Sequence, residues 1–231
     1  MKKTTTAVLG LLAMAGTYVM VSGLVSASNQ DMIEVSTGFS MVDDDKIYGT
    51  EALENVVGGD SQHIMVKYGI SSLELPSKIS SSVYVYGKVH DSEKYNEAVA
   101  GVGAKVFSGK KLNGLVKFEM DFRAGLGKQF NEGEVFDLTT NASTIGFASG
   151  NVEKGNFKGK FSDDTSVFEI SIGAGAKWYT PVKGLLINTG YSYTQKSYDF
   201  KYDIVGQDNG SQLNGKNQGN HELNIGLEYL F

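Results

Sequence analysis

The sequence predicts an all-β fold: an antiparallel, up-and-down transmembrane β-barrel, with eight strands as the best fit and ten as the alternative. Three observations predict it. Apolar and polar residues alternate with period two in one segment after another, the mark of strands with one face against an apolar medium. The connections between these segments are mostly short on one side and long on the other, as in a barrel whose turns and loops lie on opposite sides of a membrane. The chain ends on an alternating segment whose last residue is the aromatic Phe231.

Composition narrows the function. The 231 residues carry a net charge of −5, with 29 Gly, 12 Tyr, 12 Phe, one Trp and no Cys. The length suits one domain plus processed segments. The absence of cysteine excludes a disulfide framework, a cysteine nucleophile and a thiolate metal site. The acidic balance argues against a nucleic-acid partner, which needs a basic stripe.

Residues 1–27 read as a signal peptide and 28–231 as the barrel domain. Lys2 and Lys3 precede an apolar stretch from Ala7 to Val25, and Val25-Ser26-Ala27 is a small-residue cleavage site. Cleavage there removes two cations and no acids, so the mature chain is more acidic still. A retained helical anchor is the alternative, since the stretch is long enough to span.

The strands follow in order. Met32–Met41 sets Ile33, Val35 and Phe39 against Glu34, Ser36 and Ser40. Ser61–Ser72 sets Ile64, Val66, Tyr68 and Ile70 against His63, Lys67 and Gly69. Ser77–His90 is ambiguous, because Val83, Val85 and Val89 compete with Tyr84 and Tyr86 for the apolar face. Ala98–Val106 alternates small residues with glycine. Gly114–Leu126 sets Val116, Phe118, Met120, Phe122 and Ala124 against Lys117, Glu119, Asp121 and Arg123. Phe168–Thr180 sets Phe168, Ile170, Ile172 and Trp178 against Glu169, Ser171 and Lys177. Leu185–Asp203 places Ile187, Tyr191 and Tyr193 outward. His221–Phe231 is the clearest, with Leu223, Ile225, Leu227, Tyr229 and Phe231 against Glu222, Asn224, Gly226 and Glu228. Ser143–Ser162 holds a possible extra hairpin with a thin apolar face (Ile145, Phe147, Phe157, Phe161), which makes the ten-strand alternative.

A soluble sandwich alternates too, so periodicity alone does not decide between them. Connection lengths do. Leu73–Ser77, Ser108–Asn113 and Thr180–Gly184 are short, and both prolines, Pro76 and Pro181, fall in them. Val42–Asp60, Gly127–Asp164 and about Val205–Asn220 are long, and only His90–Glu97 is brief on that side. Trp178 lies beside a short turn at the level of Tyr229, where an aromatic girdle belongs.

This pattern resembles the small outer-membrane β-barrels, the OmpA-type transmembrane barrels and the opacity-protein group. The resemblance covers the mature chain as a pattern, without a peptidoglycan-binding domain after the barrel. It implies a bacterial outer-membrane location and a monomer among membrane lipids and lipopolysaccharide. It implies that Leu223, Ile225, Leu227, Tyr229 and Phe231 form the signal read by the barrel-assembly machinery.

An eight-stranded barrel has room inside only for side chains. Its inward charges must therefore pair. The expected lumen network is Lys117, Glu119, Asp121, Arg123, Glu169, Lys177 and Glu222, with Glu34, His63, Lys67 and Glu228 also facing inward. Arg123 is the only arginine of the chain. It and Glu169 are expected to share ion pairs with Asp121 or Glu222, either as fixed polar packing or as the gate of a narrow channel.

Catalysis has little support. His90-Asp91-Ser92 resembles the H-x-S pairing of outer-membrane lipid A deacylases, but no acid stands clearly placed to orient the histidine. No nucleotide-binding motif, cofactor site or metal site is expected; the acidic run of Val42–Asp60 lacks EF-hand spacing. The expectation is a non-enzymatic envelope protein acting through its loops. A small porin is the alternative and a lipid-modifying enzyme the remote one.

Overall fold

The computed structural model describes residues 30–42, 60–74, 80–92, 95–108, 115–139, 145–147, 150–152, 156–206 and 212–231. The expected signal peptide, Pro76 and the acidic run after Val42 lie outside the described residues. No helix occurs among those described. Twelve strands do: β1 (Gln30–Val42), β2 (Ser61–Glu74), β3 (Ser80–Asp91), β4 (Asn96–Phe107), β5 (Val116–Phe130), β6 (Val135–Thr139), β7 (Ile145–Phe147), β8 (Gly150–Val152), β9 (Asn156–Phe161), β10 (Thr165–Tyr179), β11 (Leu185–Ile204) and β12 (Gln212–Leu230).

Eight of them, β1–β5 and β10–β12, form a closed antiparallel ring. Every neighbouring pair is antiparallel, and β1–β12 and β5–β10 complete the circuit. The register fixes the shape. Followed once around the ring from Phe168 through Leu126, Ala100, Gly87, Val66, Val35, Leu227 and Ile187, it returns to β10 at Trp178, ten residues further along. That stagger is ~33 Å of strand against ~38 Å for eight strand spacings. It sets a strand tilt of about 40°.

The alternation sets what each side meets. Phe39, Ile64, Phe118, Leu126, Ile170 and Ile225 point outward and are exposed, while Glu34, Lys67, Lys88, Arg123, Glu169 and Glu222 point inward and are buried. This inverts a soluble protein. The outward apolar belt runs from Trp178 to Phe168 on β10, ~25 Å at the barrel's tilt, the height of a hydrocarbon layer crossed by a barrel. Leu223, Ile225, Leu227, Tyr229 and Phe231 all face outward, each 45–59% exposed. Trp178 and Tyr229 also face outward at the short-turn end, and the Tyr229 and Phe231 rings stack with centroids 5.9 Å apart. Tyr68 shares their level, paired through Ile33 with Tyr229.

Two open readings are decided and one expectation changes. In β3 the tyrosines take the inside: Tyr84 and Tyr86 are buried and Val83 is exposed. The cause lies on the neighbouring strands, where glycines leave room for both rings. β12 begins at Gln212, so the expected long connection of Val205–Asn220 is mostly strand. The segment Gln212–Asn220 carries a single apolar side chain, Leu213, so alternation does not reveal it. The ring holds eight strands, not ten. Asn156–Phe161 pairs with Val135–Thr139 rather than with Ser143–Ser149, and Ile145–Phe147 makes its own small hairpin with Gly150–Val152.

The extra strands build a sheet beyond the barrel. Above Asp199, β11 leaves β10 and pairs with β9 through Tyr202–Phe161, Asp203–Lys160 and Ile204–Gly159. β6 adds to β9. Its inner face is aromatic: Phe136 lies 4.8 Å from Phe161 and 5.6 Å from Tyr202, and Phe161 lies 6.0 Å from Phe200. A Cβ at Gly159 would stand 2.4 Å from the Phe136 ring, so only glycine lets that ring lie flat. The cluster is continuous with Tyr198, Val167 and Val99 of the barrel. Phe161→Ala is therefore expected to cost about 3–5 kcal/mol locally. Limited proteolysis read by mass spectrometry should show rapid cleavage between residues 131 and 164 with the ring strands still resistant. Equal resistance in the variant would show that the cluster does not hold the extension.

Candidate functional site

The lumen concentrates the chemistry of this chain. Each inward position is a strand residue whose two neighbours face outward, so every polar group inside is placed by the pleat. Three connected tiers result.

The tier nearest the short turns begins with a conflict. Glu34 and Glu228 stand directly opposite each other on β1 and β12. Like charges so placed repel. Lys105 crosses from β4, 2.6 Å from Glu34, 3.8 Å from Glu228 and 3.2 Å from Glu119. Asn188 donates to both carboxylates at 2.9 Å. Lys177 lies 2.5 Å from Glu228, and Lys67 bridges Glu34 at 3.1 Å and Asp121 at 3.0 Å.

The middle tier turns on Arg123. Its Nη2 donates to Ser171 at 2.8 Å, Ser192 at 2.7 Å and Glu222 at 3.1 Å, and its Nη1 contacts the Met65 sulfur at 3.2 Å. Its Nε stands 3.9 Å from Asp121, which accepts a hydrogen bond from Tyr84. Lys88 ties Glu222 at 3.0 Å to Glu169 at 2.8 Å, and Tyr86 donates to Glu169 at 2.8 Å.

In the upper tier Lys196 pairs with Glu97 at 2.5 Å, and Tyr198 donates to the same carboxylate at 3.2 Å. Lys196 also lies 3.3 Å from His90 Nε2, while His90 Nδ1 lies 2.9 Å from Ser61 Oγ. His90 Nε2 also lies 3.6 Å from Glu97 Oε1, so the ring stands between Ser61 on one side and the Lys196–Glu97 pair on the other. Ser92, the partner suggested by the H-x-S spacing, is not the hydroxyl that His90 meets.

Of the residues expected in the lumen network, Glu119, Asp121, Arg123, Glu169, Lys177 and Glu222 lie in these tiers. Lys117 does not: it is half-buried at the short-turn end, opposite Lys177, and makes no ion pair among the described residues. Its neighbour Lys177 turns to Glu228 instead. His63 is inward and bonds Asn224 at 2.6 Å. Lys88, Lys105, Glu97 and Lys196 complete the network and were missed in the sequence. Their signal was there: each is a lone charge flanked on both sides by residues of the opposite face, as Lys105 is by Ala104 and Val106.

Among the described residues, six cations thus meet seven carboxylates inside the ring. The cavity beside Arg123 holds only about 30 Å³, room for one or two waters. His90, Glu169 and Glu222 offer ligand atoms within 4.8 Å of one another, but the Lys88 ammonium already bridges the two carboxylates. Glycines make room for the two tyrosine rings. A Cβ at Gly103 would stand 2.3 Å from the Tyr84 ring, and one at Gly125 2.3 Å from the Tyr86 hydroxyl.

No family model and no curated protein matches this sequence. Among solved structures, the chain is similar to Neisserial surface protein A at 11% identity, covering 87% of this chain and 97% of that one with a TM-score of 0.44. It is similar to Ail, the attachment invasion locus protein of Yersinia pestis, at 14% identity, 88% and 100% coverage and a TM-score of 0.42. The translocator domain of the autotransporter NalP from Neisseria meningitidis matches at 11% identity, 99% and 98% coverage and a TM-score of 0.34. The eight-stranded architecture rests on the closed register, not on these likenesses.

Breaking one partner of a buried pair leaves a bare charge. Arg123→Met or Glu222→Gln alone should each cost about 3–5 kcal/mol, read as a lower urea midpoint of the barrel refolded in lipid vesicles. The double variant should recover part of that loss; simple additivity would show that the two groups do not act together. Gly103→Val should cost about 1–3 kcal/mol by overpacking against Tyr84, and adding Tyr84→Ala should relieve it. The midpoint from the same unfolding assay checks both.

Proposed function

We propose that this protein is a non-enzymatic bacterial outer-membrane barrel that holds an extracellular sheet and its loops at the cell surface and passes no solute. The observation that carries this reading is the pairing of an apolar outer belt with a lumen closed by ion pairs. A barrel with this outer face belongs in hydrocarbon. The ion-paired side chains that fill the ring around Arg123, beside a cavity with room for only one or two waters, favour an anchor over a pore. The aromatic core of β6, β9 and β11 gives the anchor something rigid to present.

On this reading the leader ending at Ala27 is removed on export. The chain is a monomer among outer-membrane lipids and lipopolysaccharide. The outward row ending in Phe231 is read by the assembly machinery.

The protein refolded into planar bilayers tests this. Heat-modifiable migration in detergent gels should mark the folded barrel, and that folded form should show no steady openings. Well-resolved openings that change with Arg123→Ala would overturn the closed lumen and favour the small porin.

A further inference from the structure

A second concavity, apart from the one beside Arg123, lies at the upper rim of β1, β2 and β3. It holds about 650 Å³, and Phe39, Ser40, Met41, Asp60, Gln62 and Asp91 line it. Phe39, Gln62 and Asp91 stand directly opposite one another on the three strands. The register gives its height. The row of partners that leaves Phe168 falls ten residues in eight strand steps. It is therefore about four residues low at Gly87, about five at Val66 and about six at Val35. Asp91, Ser61 and Met41 are then level with Phe168, where the apolar belt ends.

The groove has an apolar lip and an acidic rim. Phe39 and Met41 face outward, 58% and 44% exposed, and carry the belt up to the water boundary. Asp60, Gln62 and Asp91 are exposed beside them. Asp60 accepts the Val42 N–H at 2.8 Å. Neither Asp60 nor Asp91 meets a cation among the described residues, and no Lys or Arg lines the groove. Ser40 is 1% exposed, and its hydroxyl has no hydrogen-bond partner among the described residues. Buried polar groups are paired as a rule, so a bare hydroxyl on the wall of a cavity points to a polar group that enters it.

We infer that this groove binds a basic amphipathic peptide lying in the plane of the outer membrane surface. The inference rests on the outer-membrane reading above. Such a helix keeps its apolar side chains at the edge of the hydrocarbon and its Lys and Arg at the water side. The groove offers the matching surfaces at the matching height: Phe39 and Met41 for the apolar side, Asp60 and Asp91 for the cations. The Ser40 hydroxyl can accept from an ammonium or guanidinium. A metal ion would use the carboxylates and leave Phe39 and Met41 idle, and the volume suits several side chains rather than one ion. The connection from Val42 to Asp60 adds, by sequence, Asp43, Asp44, Asp45, Glu51 and Glu54 against Lys46 alone. That charge draws a basic peptide toward these two strand ends.

The test uses the protein in phosphatidylcholine nanodiscs, whose lipid has no net charge, with empty discs as the blank. The probe is a fluorescent amphipathic helix of Leu and Lys, read by anisotropy. Wild-type discs should bind it about tenfold more tightly than empty discs. Asp60→Asn/Asp91→Asn, whose first amide still accepts the Val42 N–H, should lose that gain. Glu51→Gln/Glu54→Gln, outside the groove, should keep most of it. A Lys–Ser peptide of equal charge, with no apolar side, should gain little. Heat-modifiable migration confirms that each variant is folded. An unchanged gain in the Asp60/Asp91 variant, an equal loss in the Glu51/Glu54 variant, or an equal gain for the Lys–Ser peptide would overturn the site. So would a wild type that shows no gain, even if calcium alone binds through Asp60 and Asp91. A wild-type protein with no heat-modifiable form would instead overturn the outer-membrane reading on which the site depends.

Discussion

Charge neutralisation inside a narrow, closed cross-section is the constraint on which the rest of this structure depends. A ring of eight strands encloses only side chains. A charge there has little water to screen it and must find a partner at its own height. Glu34 and Glu228 face each other across one strand pair, and they are tolerable only because Lys105 and Lys177 reach them across the lumen and Asn188 from the adjacent strand β11. Arg123 needs its serines and Glu222 for the same reason. Each of these contacts joins strands far apart in sequence, so the network ties the register of the whole ring together.

Space obeys the same logic. Filling the lumen with long charged chains and two tyrosines requires that other inward positions be empty. Gly101, Gly103 and Gly125 are those positions, and the Tyr84 and Tyr86 rings occupy what their side chains would have taken. Glycine in a strand ordinarily weakens it; here it makes room for groups that bond Asp121 and Glu169.

The boundary of the membrane shows as a change in pattern along single strands. Within the belt, β11 and β12 alternate apolar outside and polar inside. Beyond it the outer face turns polar, while Tyr198, Phe200, Tyr202 and Ile204 keep an apolar inner face, because β9 and β6 supply Phe161 and Phe136. One pair of strands thus serves two surroundings, hydrocarbon below and water above.

Within the hydrocarbon the sequence by itself determined the architecture. A strand crossing lipid shows its surroundings to every second residue, so Leu223 to Phe231, Val116 to Ala124 and Phe168 to Trp178 announced their faces. The same parity named most of the inward charges. Tertiary structure decided what parity cannot express. It put Tyr84 inside rather than Val83, because the deciding glycines lie on neighbouring strands. It left Lys117 out of the network, because Lys177 reaches Glu228 first. It turned Gln212–Asn220 into strand and gave Asn156–Phe161 to Val135–Thr139, because above the membrane no medium imposes alternation and pairing depends on partners distant in the chain. It gave His90 to Ser61 and Lys196, since hydrogen bonds across a barrel follow from register and stagger, which appear only when the ring closes.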